Sequence, residues 1–403
     1  MQFGLSRFWI SFFVTVAFAP LAVYAEPVPL DGIDHVHGLT VDKSNPDRLL
    51  LATHHGLFAA TENGLAVRVS KLNADFMSFA EDPLIPGKLY ASGHPAQGGN
   101  LGVMISQDGG VVWENLSQGD GGPVDFHALS VSPVDSRILY GIHEGLQLSR
   151  DGGKVWQRIA DAPKRTFALA ASAKDVDTVY AATMQGLLVS RDSGRNWEEA
   201  YFLKRPATMV HIAADGRMYA FIYGVGLVSA EEPSFAWTTI SEVFQDRALM
   251  SLSVHPQDKS RLFAVTDTNA IMISKDGGKS WFSFEGNQRQ TAEGIAAGAK
   301  LYAENCQACH GAKGVGERPD NPNAQDEYGF VAPALNDDAH GWHHPDAQLV
   351  ETILNGSPRN ERMIAWKESL SREDAESLVI YIKSLWSFRS LACQGTRHMA
   401  CMR

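Results

Sequence analysis

The feature that most constrains this chain is a short motif repeated at long, even intervals. Ser106, Asp108, Gly110 and Trp113 follow the pattern Ser-x-Asp-x-Gly-x-x-Trp, which recurs at 149–156, 190–197 and 274–281. The starts lie 43, 41 and 84 residues apart, so the last interval holds two periods. A decayed copy at 229–237 fills that gap, and another stands at 60–64. A short apolar strand precedes each copy: Leu51-Ala52, Tyr90-Ala91, Tyr140-Gly141, Tyr180-Ala181, Tyr219-Ala220 and Phe263-Ala264. Short strands and Gly-rich turns at this period predict an all-β propeller of about six four-stranded blades. Sequence alone leaves a seventh, degenerate blade open.

The motif resembles the Asp-box, the bacterial neuraminidase repeat of sialidase-like and sortilin-like propellers. In that family the box is structural. The resemblance implies that Asp108, Asp151, Asp192 and Asp276 accept turn hydrogen bonds, that the glycines permit positive φ, and that the tryptophans pack between blades. They are therefore not candidate catalytic acids. Sialidase chemistry does not come with the fold, because the family's Arg-Ile-Pro motif is absent. No paired-carboxylate glycosidase site stands out, and no catalytic residue is assigned.

Cys306, Cys309 and His310 form the Cys-x-x-Cys-His attachment motif of c-type haem. Two thiols add across the two vinyl groups, and the next residue turns its imidazole to the iron. A zinc half-site or a redox pair is the rival reading of such a cysteine pair. The surroundings resemble small class I cytochromes c over almost 100 residues, which implies a small all-α domain. Gly298 and Tyr302 lie on the entering helix, where a small residue permits close crossing over the last helix. Pro333-Ala334-Leu335 resembles the loop whose proline carbonyl accepts a hydrogen bond from the ligand histidine. Ser371 and Asp374 form a capping-box-like start to the last helix, whose apolar stripe is Leu378, Ile382 and Leu385. The resemblance implies Met363 as sixth iron ligand, with Ile364 where the family has proline. His340, His343 and His344 are the alternatives. Iron held by His and Met has both axial positions filled and carries one electron.

Two weaker signals point to metal. Aligned repeats place His37, Met77, His127, Phe167, Val210 and Met250 where each innermost strand begins. His54, His143 and Met184 match at the ends of the second strands, with His94 close by and His35 and His55 adding to the group. Imidazole and thioether suit copper, so His37, His54, His127 and His143 are candidate ligands of a second metal. A polar channel holding water, with methionines as packing, is the alternative. The end of the chain carries Cys393, His398, Met399, Cys401 and Met402. In an oxidising compartment the two cysteines form a disulfide, while a Cu(I) site is the rival.

At 403 residues the chain exceeds one ordinary core, so two domains are expected. Residues 1–25 read as a signal peptide, with Arg7, an apolar run over 8–21 and small residues up to Ala25. An uncleaved anchor is the alternative. Either places the remainder in the periplasm or otherwise outside the cytoplasm, and no later segment is apolar enough to span a membrane. The expected organisation is a propeller over 26–288, a cytochrome c domain over 289–388 and a tail over 389–403. A net charge of −11 argues against nucleic acid as a partner. Three functions fit. The chain could be an electron carrier whose propeller docks a redox partner in the cell envelope. It could be an oxidoreductase whose propeller holds copper or a substrate and passes electrons to the haem. It could be a glycosyl-hydrolase-like propeller with an accessory cytochrome. The first is favoured, and whether the chain is an enzyme stays open.

Overall fold

The computed structural model describes residues 26–286, 290–321, 324–358 and 360–402. The expected signal peptide and the 288/289 junction lie outside the described residues. Six antiparallel sheets follow one another along the chain, each built outward from an innermost strand. The innermost strands are Val36–Val41, Ala74–Glu81, Ala128–Val131, Thr166–Ala171, Ala207–Ile212 and Leu249–Val254. Each neighbours the next, and the sixth neighbours the first, so the ring closes at six blades.

Blade 1 takes its four main strands from one continuous stretch, and Val28–Pro29 adds a fifth on its outer edge. Closure therefore rests on side chains. Leu39, Leu49 and Phe58 of blade 1 pack with Phe263, Ile273 and Phe284 of blade 6. Asn269 accepts from the Val36 amide at 2.6 Å and donates to the Ile33 carbonyl at 2.7 Å.

The repeated motif makes one turn four times. In blade 3, Ser149 Oγ donates to Asp151 Oδ1 (2.9 Å) and accepts from the Gly153 amide (2.9 Å). Asp151 Oδ1 also accepts from the amides of Lys154 (3.1 Å) and Val155 (3.0 Å). Trp156 Nε1 donates to Gly153 O at 2.9 Å, and its ring packs 4.7 Å from Phe126. The same bonds recur around Asp108, Asp192 and Asp276. The amide of Val155 leads the interactions that hold the Asp151 carboxyl below its ordinary range. A carboxylate used as a turn acceptor is unavailable as an acid.

The C-terminal domain is helical. Its elements are α1 (Ala292–Asn305), α2 (Gln307–His310), α3 (Asp346–Asn355), α4 (Arg372–Ser384), α5 (Phe388–Ala392) and α6 (His398–Cys401). Thr291 caps α1 by accepting from the Gly294 amide at 3.0 Å. Ser371 and Asp374 cap α4 reciprocally. α1 crosses α4 at Gly298, where an added Cβ would lie 2.1 Å from Ser377 O. Tyr302, Val350, Ile353, Leu378 and Val379 fill the core between these helices.

The tail is a dock, which the sequence did not reveal. Cys393 and Cys401 are joined in a disulfide, so the Cu(I) reading fails for want of thiolates. Phe388, where the expected cytochrome c domain ends, meets Phe244 edge to face at 4.8 Å, and Leu391, Cys393 and Cys401 of the tail join the same core as Phe221, Leu249 and Trp281 of blades 5 and 6. Thr268 Oγ1 donates to Ala392 O at 2.6 Å. Beside this contact Lys383, with only 1% of its side chain exposed, holds Asp346 at 2.9 Å. Burial, then the Asp346 charge, pushes the nearby Glu285 carboxyl up to about 7.

Candidate functional site

The haem motif lies at a helical corner. α1 ends at Cys306, and α2 brings Cys309 and His310 round within one turn, with the His310 amide bonded to Cys306 O at 2.9 Å. His310 Nδ1 lies 2.8 Å from Pro333 O. A carbonyl only accepts, so Nδ1 carries the proton and Nε2 keeps its lone pair for a metal. Burial lowers the His310 pKa, which keeps the ring neutral. The Tyr302 hydroxyl donates to Gly311 O at 2.8 Å and so ties α1 to the residue after the ligand. Burial, then Cys309, pushes the Cys306 thiol up to about 11. A reactive redox pair would need the opposite shift.

Met363 sits in the loop between α3 and α4, half-buried. Its carbonyl accepts from the Ser357 amide (3.0 Å) and its amide donates to Asn360 O (3.1 Å). Gly356, at φ 77°, allows this return, since a Cβ there would lie 2.6 Å from Met363 O. Arg362 joins the loop to the segment after His310 through Glu317 (2.9 Å) and Asp326 (2.9 Å). Val315, Tyr328, Phe330 and Ile364 are exposed in these segments, and Cys309 is exposed with them. Apolar groups gathered beside a free histidine nitrogen and two cysteines fit the edge of a covalently held haem. His340, His343 and His344 instead lie towards the tail, where the His343 ring stacks on His398 at 4.6 Å.

At the propeller mouth, the extra residue of a β-bulge is His37, Met77, Phe167, Thr208 and Met250 in blades 1, 2, 4, 5 and 6. In blade 3, His127 directly precedes the innermost strand. Val210 was misplaced by sequence alignment. It pairs with Ala220 further along its strand, and Thr208 holds the equivalent position. His94 stands at the place of His54, since each follows the residue paired to the foot of the bulge, while His143 stands one place earlier. A central channel of about 740 Å³ runs behind, lined by His37, Met77, His127, Phe167 and Met250 among others.

Two acids missed from sequence organise these histidines. Asp75 and Asp125 each precede the bulge position by two residues, in Asp75-Phe76-Met77 and Asp125-Phe126-His127. That shared Asp-Phe was the available signal. Asp125 Oδ2 takes His94 Nε2 at 3.0 Å and His127 Nε2 at 2.9 Å. His143 Nδ1 lies 3.0 Å from Asp125 O. Asp75 faces His37 Nε2 at 3.4 Å and His54 Nδ1 at 3.6 Å. The four candidate histidines therefore divide between two aspartates, His37 and His54 facing the Asp75 carboxylate, His127 on the Asp125 carboxylate and His143 on the Asp125 backbone carbonyl.

The fold and the haem corner define a six-bladed β-propeller followed by a cytochrome c domain. Residues 293–382 match the family described as cytochrome C oxidase, cbb3-type, subunit III. The cbb3-type cytochrome c oxidase subunit FixP of Bradyrhizobium sp. (strain ORS 278) is 40% identical over 90 residues, which are 22% of this chain and 27% of that protein. Subunit CcoP of Azospirillum sp. (strain B510) is 35% identical over 91 residues, 23% of this chain and 28% of that protein. The match thus spans little more than a quarter of these relatives. Among solved structures, the GH74 xyloglucanase from Xanthomonas campestris is 20% identical with a TM-score of 0.46, covering 70% of this chain and 49% of that one. A GH74 enzyme from Niastella koreensis is 15% identical with a TM-score of 0.46, covering 62% and 45%. The cytochrome c domain implies a covalently bound haem c and a redox partner. Among the described residues, no helix is long and apolar enough to cross a membrane.

Proposed function

We propose that this chain is an exported mono-haem c-type cytochrome that carries one electron, with the propeller as docking module for a redox partner in the cell envelope. The observation that carries the reading is His310, neutral and fixed through Nδ1 by Pro333 O beside Cys306 and Cys309. When bound, haem c would supply a one-electron iron couple. Cys306 and Cys309 would hold the group, His310 and Met363 would ligate its iron, and Arg362 positions the methionine loop through Glu317 and Asp326. Residues 1–25 direct export to the periplasm, the propeller occupies 26–288, the haem domain 289–388 and the tail 389–403. The tail keeps haem domain and propeller in one relation, so a partner bound by the propeller meets the haem at a set place. The repeated aspartates are used by their turns, which counts against a glycosidase.

A second reading, an oxidoreductase whose propeller passes electrons to the haem, is favoured by one observation. The tail meets blade 6 at the turn over 266–270, which corresponds to the His54 turn of blade 1. The haem domain thus docks at the end of the propeller that bears the histidines. A redox titration of the purified full chain tests the primary reading. One electron per chain at a single potential supports it, and a second redox centre titrating with the haem overturns it.

A further inference from the structure

The two carboxylates of the propeller mouth differ in a way that distances decide. His94 and His127 approach Asp125 at 3.0 and 2.9 Å, which is hydrogen-bond length, and share one oxygen. Their ring nitrogens are used. Asp75 stands 3.4 Å from His37 Nε2 and 3.6 Å from His54 Nδ1, beyond ordinary hydrogen bonds. His37 Nε2 and Asp75 Oδ1 are both buried with no hydrogen-bond partner among the described residues. One donor atom from each of His37, His54 and Asp75 lies within 4.8 Å of the other two. Around an ion with bonds of about 2.05 Å, tetrahedral ligand atoms stand about 3.3 Å apart. The two histidine–carboxylate distances, one to each Asp75 oxygen, are close to that spacing.

We propose that His37, His54 and Asp75 bind one divalent first-row transition ion, with the remaining coordination positions left to water or a small ligand at the channel mouth. Two imidazoles and a carboxylate are a borderline-to-hard set, suited to Zn(II), Fe(II) or Cu(II). The third donor is the Asp75 carboxylate, and His127 and His143 lie outside the set, so the ligands differ from the four histidines expected from sequence. Three protein ligands are also the number that catalytic metal sites use. Thr53 Oγ1, donating to Gly56 O at 2.9 Å and accepting from the His55 amide at 3.0 Å, fixes the turn that carries His54. The set spans two blades, so the bound ion would join blade 1 to blade 2.

The inference is independent of the haem reading, and its test keeps the two apart. Full-length haem-loaded protein is stripped with chelator and titrated separately with Zn(II), Cu(II) and Fe(II). Metal per chain and affinity are measured, with the haem spectrum as a check on the other domain. One ion beyond the haem iron is expected. Outer ligand partners typically change affinity 10–100-fold, so Asp75→Asn and His54→Gln should each weaken binding by at least about 100-fold. His143→Ala, which removes a ring outside the set, should leave it unchanged. If Asp75→Asn unfolds blade 2, the partly exposed His54 decides alone. Failure to retain any of the three ions overturns the proposal. So does equal retention by both ligand variants with loss in a His343→Ala, His398→Ala protein, which would move the ion to the tail.

Discussion

Replacing Phe388 by Ala should separate the haem domain from the propeller. The ring is 5% exposed and stands edge to face on Phe244, inside a core that includes both domains. A buried Phe removes on the order of 200 Å² from water, which at about 25 cal/mol/Å² sets a ceiling near 5 kcal/mol. Truncations of this kind cost about 3–5 kcal/mol once the cavity is included. A loss of about 4 kcal/mol at the contact lowers the docking equilibrium by nearly three orders of magnitude. Spread over a chain of this length, it shifts a cooperative melt by about 5 °C. Haem absorbance reports the small domain and tryptophan fluorescence mainly the propeller. In the unaltered protein the two melting curves should coincide, the signature of one cooperative unit. In Phe388→Ala the haem curve should come first and part from the other. Val155→Ala, at a side chain 68% exposed on blade 3, should change stability by less than about 0.5 kcal/mol. Coincident curves in Phe388→Ala, within a degree of the parent, would refute the docking role of the core that Phe388 and the tail share with the propeller.

Other outcomes follow from single contacts. Gly298→Val should destabilise the cytochrome c domain by several kcal/mol and lower haem yield, because Ser377 O occupies the place of the new Cβ. Glu285 titrates at about 7 in the fold against 4.5 as its ordinary value. The folded state therefore binds the extra proton, and stability should fall as pH rises from about 4.5 to 7. Urea midpoints across that range should show the fall, and Glu285→Gln should flatten it. Asp151→Ala should cost about 1 kcal/mol in denaturant unfolding, since the exposed Lys154 and Val155 amides exchange the carboxylate for water, and leave the haem spectrum unchanged.

The parts legible in sequence were those written locally. Six blades could be counted because four carry an intact turn whose Ser, Asp, Gly and Trp interact within eight residues, and its even period exposes the two decayed copies. The haem corner was legible because thiol spacing is set by the group it binds. The propeller mouth was harder. A bulge adds one residue to five of the six innermost strands, and its position is fixed by pairing with the next strand. Val210 was therefore placed where Thr208 belongs, and His143 was set level with His54 when His94 holds that place. Asp75 and Asp125 were passed over because an acid near a strand start is common, and only the neighbouring blade gives it histidines. The docking of Phe388 and the tail after it was illegible for the same reason. Phe388 meets Phe244 across 144 residues of chain, and no local pattern announces it.

The most direct test of the central claim is the haem content and spectrum of the full chain, made with haem-attachment machinery, beside Met363→Ala. The account predicts one covalently bound haem per chain, low-spin in the ferric state and inert to carbon monoxide when reduced. Met363→Ala should keep the covalent haem and bind carbon monoxide. Absence of covalent haem, or a Met363→Ala spectrum identical to that of the parent, would contradict it.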